Sequence, residues 1–354
     1  MYFRGIGTAT PPERYTKAQC LQGFENSDWF NRLDARAHFI ARSVLQRDNG
    51  IASRRLAIDS LDDVFQINPN TLAQRFRRYA PLLANQAGGR ALAHAGLEPG
   101  DIGAVIVSTC TGYLCPGLSG YVIEGLGLPS SVKTFDLVGQ GCDAALPNFQ
   151  LGNALLVSDA CEHVLSICVE VSSAAMYLDN DPGVLISACL FGDGSGATVL
   201  SRRPPASGHS IQWMDSASLT EPNHRQALMF EQKDGMLRNI LSREVPALAA
   251  EYARQVMETV LGRAGLTPDD VSTWILHAGG RDVLIALERE FGVETTDFRY
   301  SAAMLREYGN LSSAFVYFVL EAALQDHAPA GWWWLSSFGA GFSCHGALLQ
   351  VQAA

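Results

Sequence analysis

The chain of 354 residues is long for a single hydrophobic core, and its length suits two domains or one large fused α/β body. Its net charge of −10 excludes a general nucleic-acid binder, which needs an excess of lysine and arginine along one face, but still allows an anionic small substrate held by a few local arginines. With 47% hydrophobic and 18% charged residues and no run of 18 apolar residues, the composition is typical of a well-packed cytoplasmic protein without a membrane span.

The first residues and the cysteines indicate the cellular compartment in which the protein folds. The start, MYFRGIGTATPPERY, has no basic stretch followed by an apolar core, so we expect no signal peptide. The eight cysteines lie mostly inside apolar runs such as VLSICVEV, which predicts reduced thiols rather than a disulfide framework. Cys110 and Cys115 are too widely spaced for a zinc knuckle and no second pair complements them, so we predict no metal site.

Along the first half, predicted helices and strands alternate. The segment NQAGGRALAH predicts a helix, and AGLEPGDIGAVIVSTC leads from it into an apolar strand. Further on, an apolar run and the segment VGQGCDAALPN put Cys142 at a strand-to-helix turn. The glycine-rich FGDGSGA runs into ATVLS, which predicts strand–turn–strand; a dinucleotide-binding loop would instead open a helix.

The second half repeats the first. AGLTPDDVSTWILHAG from Ala264 matches AGLEPGDIGAVIVSTC from Ala95, EYGNLSSA matches GQGCDAAL and pairs Asn310 with Cys142, and SFGAGFSCHGALL matches LFGDGSGATVL. Three matches in the same order predict two fused copies of one α/β unit, residues 1–205 and 206–354. The junction lies near SRRPPASGH, which is rich in proline, serine and glycine as a linker should be.

The repeat also brings reactive side chains together. In a duplicated α/β body the equivalent strand ends converge, so Cys142, Asn310 and His277, which ends the strand in TWILHAGG, should meet. A cysteine at a helix N-terminus beside an imidazolium has an enhanced thiolate fraction and can take an acyl group from a thioester, while His and Asn N–H groups stabilise an oxyanion. Singly, each residue is better explained as a core cysteine, a strand-end histidine or a turn asparagine; jointly, the shared site is favoured.

The chain contains six main motifs, STCTGYLCPG, QGCDAA, ACLFGDGSGA, ILHAGG, EYGNLSSA and SFGAGF, and GIASRR is a seventh. These motifs resemble those of type III polyketide synthases of the bacterial type, which belong to the chalcone and stilbene synthase-like family of the thiolase superfamily. The resemblance covers nearly the whole chain. It implies an α/β, thiolase-like αβαβα five-layered fold built from two duplicated α/β halves, a homodimer, and no metal or redox cofactor. The implied substrates are an acyl-CoA starter and malonyl-CoA, extended repeatedly and cyclised to an aromatic or pyrone product.

Roles for individual residues follow from the resemblance. Cys142 would be the nucleophile, and His277 and Asn310 would hold the malonyl thioester while CO₂ leaves. Phe191 matches the family's gatekeeper phenylalanine, and the matching cavity positions are Cys110, Thr111, Cys115, Glu170, Ser172, Ala175, Ser187, Leu241 and Ser312. Because several of these are small, we expect room for a long or bulky acyl starter. Candidates to hold the CoA phosphates are Arg47, Arg54, Arg55 and Arg281, although each could equally be a solvated surface arginine.

The chain departs from the family pattern at Ala340, which replaces a proline in SFGAG, and at two positions that bear on the chemistry. Cys110 puts a thiol where the family has a hydroxyl, which puts in doubt the relay through Glu170 that favours aldol closure. Asp143 follows Cys142 where many members carry an apolar residue, and we expect its carboxylate to cap the following helix. Two alternatives stay open: a ketoacyl synthase III-type enzyme that condenses once with malonyl-carrier protein, and a non-catalytic partner subunit with a thiolase fold.

Overall fold

The computed structural model describes residues 1–206 and 208–353, so Ser207, inside the predicted linker, and the terminal Ala354 lie outside the described residues. The strands are β1 (Tyr2–Ala9), β2 (Arg14–Thr16), β3 (Ser53–Arg55), β4 (Ala104–Ser108), β5 (Lys133–Leu137), β6 (His163–Glu170), β7 (Gly194–Ser201), β8 (Ser210–Thr220), β9 (Leu228–Lys233), β10 (Met236–Leu241), β11 (Val271–Leu276), β12 (Gly331–Gly339) and β13 (Ser343–Gln352).

The helices are α1 (Lys17–Asn26), α2 (Asp28–Arg32), α3 (Ala35–Gln46), α4 (Pro69–Ala95), α5 (Leu118–Leu126), α6 (Ala145–Val157), α7 (Pro182–Leu190), α8 (Val245–Ala264), α9 (Arg281–Phe291), α10 (Arg299–Tyr308) and α11 (Phe315–Gln325). Across the described ranges, none of these helices combines the length and the apolar composition that crossing a membrane requires.

Nine strands form one sheet in the order β11-β12-β13-β8-β1-β7-β6-β4-β5. In the first half β4 runs parallel to β5 and β6, and β6, β7 and β1 then pair antiparallel. In the second half β11 runs parallel to β12, and β12, β13 and β8 pair antiparallel. The pairing pattern is therefore repeated, which confirms the predicted duplication. The halves meet where β1 pairs with β8, while the division at 205 and 206 stays a prediction.

The helices complete five layers around the strands. Helices α4 and α5 pack outside the first half, and α8 and α9 pack outside the second. Helices α6 and α11 lie between the halves, each in contact with strands of both. The sequence of α11, FVYFVLEAALQ, is apolar on nearly every face, as a helix enclosed on all sides requires. The αβαβα architecture implied by the resemblance is confirmed.

One local prediction was wrong. The segment before FGDGSGA is helix α7 rather than a strand, so the loop connects a helix to β7. The sequence of α7, PGVLISACL, is apolar throughout and shows no helical period, which is why it reads as a strand. Its helical start is fixed by Asp181, whose side chain accepts hydrogen bonds from the backbone N–H groups of Gly183 and Val184.

Candidate active site

Cys142 lies in the turn between β5 and α6, as predicted. The turn Gly141–Asp143 is a single 3₁₀ turn, and Gly141 has a φ of +73° with Ala340 so close that a Cβ would lie 2.8 Å from its backbone nitrogen. Only 8% of Cys142 is exposed. Burial raises the pKa of its thiol to about 12; the Ser312 hydroxyl, 3.2 Å from the sulfur, opposes this rise, and the charges of Glu170 and Asp143 add to it.

A cavity of about 620 Å³ runs past the sulfur. Cys142, His277 and Asn310 all line it, together with Phe191, Leu241 and Phe338. The three side chains come from three places in the sequence: the turn before α6, the end of β11, and the turn before α11. The convergence expected from the repeat is therefore present in the structure.

His277 directly follows β11 and is almost fully buried. Its ring lies between Phe315, perpendicular at 5.5 Å, and Phe338 at 5.1 Å, and neither ring nitrogen has a hydrogen-bond partner among the described residues. Burial lowers the pKa of the imidazole to about 3, so it is neutral at pH 7. The expected imidazolium beside Cys142 is thus absent at neutral pH, because the aromatic surroundings disfavour the charge.

Asn310 is held in place on both sides of its carboxamide. Its Nδ2 donates to the Gly279 carbonyl at 3.1 Å, and its Oδ1 accepts from the Ser312 N–H at 2.8 Å. Its backbone pairs with the loop that carries Phe191, since Asn310 N donates to Leu190 O at 3.0 Å and Gly192 N donates to Asn310 O at 2.9 Å. One amide hydrogen of Nδ2 remains for a ligand in the cavity.

Behind the cysteine, Glu170 is a fully buried carboxylate surrounded by neutral donors. Its partners are Thr109 Oγ1 (3.3 Å), the Cys110 backbone N–H (3.1 Å) and Sγ (3.3 Å), Thr111 Oγ1 (2.9 Å), Ser312 Oγ (3.3 Å) and Ser313 Oγ. Burial raises the pKa of Glu170, and these hydrogen bonds oppose the rise. The Cys110 thiol does reach Glu170, so the relay that was in doubt has its parts in contact, with Ser312 linking Glu170 to Cys142.

On the far side of Phe191 lies a much smaller cavity of about 30 Å³, lined by six of the predicted cavity residues: Cys110, Thr111, Ser172, Ala175, Ser187 and Ser312. Such a volume holds about one or two water molecules. Met176, Tyr177 and Phe230 also line it and occupy the space that the small residues leave. This volume is smaller than the room that we expected for a long acyl starter. The sequence motifs did not reveal this, because Met176, Tyr177 and Phe230 lie outside them.

The remaining predicted cavity residues lie elsewhere. Leu241 lines the cavity of about 620 Å³ beside Cys142, Glu170 is buried behind Cys110, and Cys115 is exposed at the surface. A third cavity, of about 660 Å³, begins on the other side of Cys110 and Phe230. Tyr113 and Val138, which are 77% and 62% exposed, line it.

The arginines divide into two groups. Arg47 and Arg281 line the cavity of about 620 Å³ together with Arg243. Sequence reasoning missed Arg243, although it lies two residues after the predicted cavity residue Leu241. Arg54 is instead buried and donates to the carbonyls of Ala188 (2.7 Å) and Phe191 (3.0 Å). Arg55 donates to the Pro12 carbonyl at 2.6 Å, so the structure does not bring Arg54 and Arg55 to this cavity.

The expectation that Asp143 caps α6 was wrong. The residue at the helix start is Ala144, and no side chain caps it. The Asp143 carboxylate points instead to β13, where Oδ2 accepts from Ser343 Oγ at 2.6 Å and lies 3.3 Å from His345 Nε2. The 3₁₀ turn at Gly141–Asp143 directs the side chain across the sheet rather than along the helix axis.

Comparisons with known proteins agree with this geometry. Residues 10–263 match the family model described as FAE1/Type III polyketide synthase-like protein, and residues 217–351 match that of the chalcone and stilbene synthases, C-terminal domain. The 3,5-dihydroxyphenylacetyl-CoA synthase of Streptomyces toyocaensis is 27% identical over 98% of this chain and 89% of its own. The alpha-pyrone synthesis polyketide synthase-like protein Pks18 of Mycobacterium tuberculosis is 26% identical, over 79% of this chain and 74% of its own.

Among solved structures, PKS-I from the brown alga Ectocarpus siliculosus superimposes with a TM-score of 0.90 at 25% identity, over 98% of this chain and 97% of that one. The five-layered fold and the relatives define a condensing enzyme of the acyltransferase class. More narrowly, the first family model spans well over half of the sequence. The chain belongs to the type III polyketide synthase family.

Proposed function

We propose that this enzyme loads an acyl-CoA starter on Cys142, extends it by repeated decarboxylative condensation with malonyl-CoA, and cyclises the poly-β-keto chain to an aromatic or pyrone product. The observation that carries the proposal is one cavity lined by the Cys142 thiol, the His277 imidazole and the Asn310 carboxamide. The named activities of the Streptomyces and Mycobacterium relatives, an aryl-acetyl-CoA synthase and a pyrone synthase, support both ring classes.

In the loading step, the Cys142 sulfur forms a bond to the carbonyl carbon of the acyl-CoA, and the bond from that carbon to the CoA sulfur breaks. Because burial raises the pKa of Cys142 to about 12, the resting residue is a thiol, and its proton must leave as the substrate binds. Ser312, in contact with both Cys142 and Glu170, is the hydroxyl placed to accept that proton while it passes its own to the carboxylate. The proton then held by Glu170 returns by the same hydroxyl to the departing CoA thiolate, so that Glu170 is a carboxylate again when loading ends.

In the extension step, the malonyl carboxylate leaves as CO₂ and the electron pair of the broken carbon–carbon bond forms an enolate. The enolate carbon attacks the acyl carbonyl, and the Cys142 sulfur departs as a thiolate, which leaves the lengthened chain on CoA. Before the next extension this thiolate attacks the new thioester, takes the chain back and releases CoA. A neutral imidazole carries one N–H donor, and Asn310 keeps one amide hydrogen. These two donors would stabilise the enolate oxygen inside the cavity.

Substrate binding would use the arginines of the same cavity. Arg47, Arg243 and Arg281 supply guanidinium groups suited to the phosphates of CoA, so we propose CoA thioesters as the substrates, with no further cofactor. The cavity of about 30 Å³ beyond Phe191 supports a short starter rather than a long one. Phe230 lines both this cavity and the one of about 660 Å³, so Phe230→Ala would join them and favour longer starters.

Mass spectrometry of the products tests the proposal. Purified protein is given malonyl-CoA with acyl-CoA starters of two to sixteen carbons. We expect products that carry two or more malonyl-derived units, short starters preferred, and longer starters gained in Phe230→Ala. A single condensation that requires malonyl-carrier protein would instead identify a ketoacyl synthase III-type enzyme. Failure of any acyl-CoA or iodoacetamide to modify Cys142 would identify a non-catalytic subunit.

We also propose that the enzyme is a homodimer in the cytoplasm. The exposed Tyr113 and Val138 form an apolar rim around the cavity of about 660 Å³, a surface that a second copy would cover. Sedimentation analysis should give twice the mass of the chain, and Tyr113→Ser with Val138→Ser should yield monomer. A wild-type monomer at micromolar concentration would contradict the dimer.

A further inference from the structure

A second polar cluster lies directly beneath the nucleophile. Asp143, the residue after Cys142, is completely buried, and among the described residues a single hydrogen bond, from Ser343 Oγ, reaches its carboxylate. Its Oδ1 has no partner among the described residues and packs against Gly339, where a Cβ would lie 2.6 Å from that oxygen. Unlike Glu170, this carboxylate is not surrounded by donors that could stabilise a negative charge.

The other member of the cluster is His345 on β13. Its Nε2 lies 3.3 Å from Asp143 Oδ2, which is within ion-pair distance, and this buried nitrogen has no hydrogen-bond partner among the described residues. Its Nδ1 lies 2.7 Å from the hydroxyl of Ser218, which sits directly opposite on β8. Ser218 is exposed and also accepts from Gln150, so the imidazole connects the buried carboxylate to the surface.

No other charge in the described surroundings can balance Asp143. On the side of His345, the packed elements are β8, β12, α6 and the turn of Cys142; β12 and α6 carry no charged residue. The charged group on β8 is Asp215, which pairs with Arg263 at 3.0 Å. Helix α8 packs on the opposite face of β13, against Gly346. A buried carboxylate requires a positive partner or many donors, and His345 is the partner available.

We propose that His345 is a positioning residue whose imidazole, held against Asp143, offsets the charge of this carboxylate and thereby prevents it from opposing thiolate formation at Cys142. The role deepens the proposed function, since it concerns the same nucleophile. In this arrangement Nε2 faces Asp143, while Nδ1 contacts the hydroxyl of Ser218. The negative charge nearest to Cys142 in sequence is then offset before substrate arrives.

The test measures the rate at which iodoacetamide alkylates Cys142, read by mass spectrometry of its peptide between pH 7 and 10. This readout needs no substrate, so it is independent of whether the proposed synthase activity is correct. We expect His345→Gln to slow alkylation about tenfold at pH 7, equivalent to a rise of about one unit in the thiol pKa, because Asp143 is left uncompensated. Asp143→Asn should lie within about threefold of wild type, and Asp143→Asn with His345→Gln should match Asp143→Asn.

The matched control is His163→Gln. His163 on β6 also contacts a cross-strand serine, with Nδ1 2.8 Å from Ser201 Oγ, but no carboxylate of the described residues lies within ion-pair distance. It should leave Cys142 alkylation unchanged.

Two results would overturn the proposal: His345→Gln with wild-type alkylation, or slowing that persists after Asp143→Asn is added. If His345→Gln does not fold, the double variant decides. A folded double variant supports the pair, because removing the uncompensated charge restores the protein, whereas an unfolded one means that His345 serves only to fill space.

Discussion

The turns before α6 and α11 occupy equivalent places in the two halves, yet they carry different chemistry. Each is a short 3₁₀ turn that opens a buried central helix. The first presents the Cys142 thiol and is backed by Asp143 with a single imidazole beside it. The second follows the Asn310 carboxamide and places Ser312 against Glu170, which has six neutral donor contacts. The two equivalent turns therefore converge on one cavity, where the first carries the nucleophile Cys142 and the second follows the hydrogen-bond donor Asn310.

The largest expected difference between the turns is in acyl loading. Among the described residues, Cys142 supplies the only sulfur that lines the cavity of about 620 Å³, so Cys142→Ala should abolish acyl loading. The Asn310→Ala variant should still accept an acyl group on Cys142. Intact-protein mass spectrometry after incubation with acyl-CoA measures the adduct. An adduct on Cys142→Ala, or none on Asn310→Ala, would contradict the division of roles between the two turns.

The first turn should also show a steep pH dependence. Burial raises the pKa of Cys142 to about 12, so the reactive thiolate fraction grows about tenfold per pH unit below that value. Alkylation of Cys142 should therefore rise about 10³-fold between pH 7 and pH 10 without a plateau. A plateau below pH 9 would mean that the thiolate is already formed in the free enzyme.

The second turn should act mainly on extension. Asn310→Asp replaces a donor with a carboxylate, and His277→Gln removes the imidazole N–H, so each should slow malonyl-CoA decarboxylation by about 10²–10³-fold. Loading of Cys142 should stay within about tenfold of wild type. Release of labelled CO₂ and the mass of the acyl adduct measure the two steps separately, and equal damage to both would show that these roles are misassigned.

The smallest expected effect is on the unfolding free energy of the protein when either buried carboxylate, Glu170 or Asp143, is replaced by its amide. Glu170→Gln introduces an amide N–H₂ among donors that need an acceptor, which should cost about 2–3 kcal/mol of unfolding free energy. Asp143→Asn keeps an oxygen for Ser343 and should cost about 1 kcal/mol or less. Urea unfolding compares them. A larger loss for Asp143→Asn would reverse the interpretation of the two environments.

Much of the site was predictable because the internal repeat aligns residues that the fold later brings together. Cys142, His277 and Asn310 all end apolar strands or open buried helices, and position along the chain was sufficient to place them. The protonation of His277 was not predictable, since Phe315 and Phe338 come from other elements and together exclude water. Likewise Met176 and Phe230, which reduce the small cavity, lie outside the repeated motifs.

The contacts of Asp143 were also not predictable from the local sequence. From the sequence, an acidic residue at the start of a helix indicates a cap. The partners that redirect it, Ser343 and His345, lie on β13 in the other half, and only the pairing of β12 with β13 brings them under the turn. Local patterns predicted where the chain turns, whereas contacts between the halves determine what each buried charge meets.

The most direct test of the central claim is the time course of Cys142 adducts with carbon-13 malonyl-CoA and a two-carbon acyl-CoA starter. The reaction is quenched within seconds, and the mass of the peptide that contains Cys142 is measured by mass spectrometry. The account predicts the starter acyl group first, followed by heavier adducts that each gain one decarboxylated malonyl unit. An adduct that never exceeds one added unit, or none on Cys142, would contradict a polyketide synthase that extends its chain on this thiol.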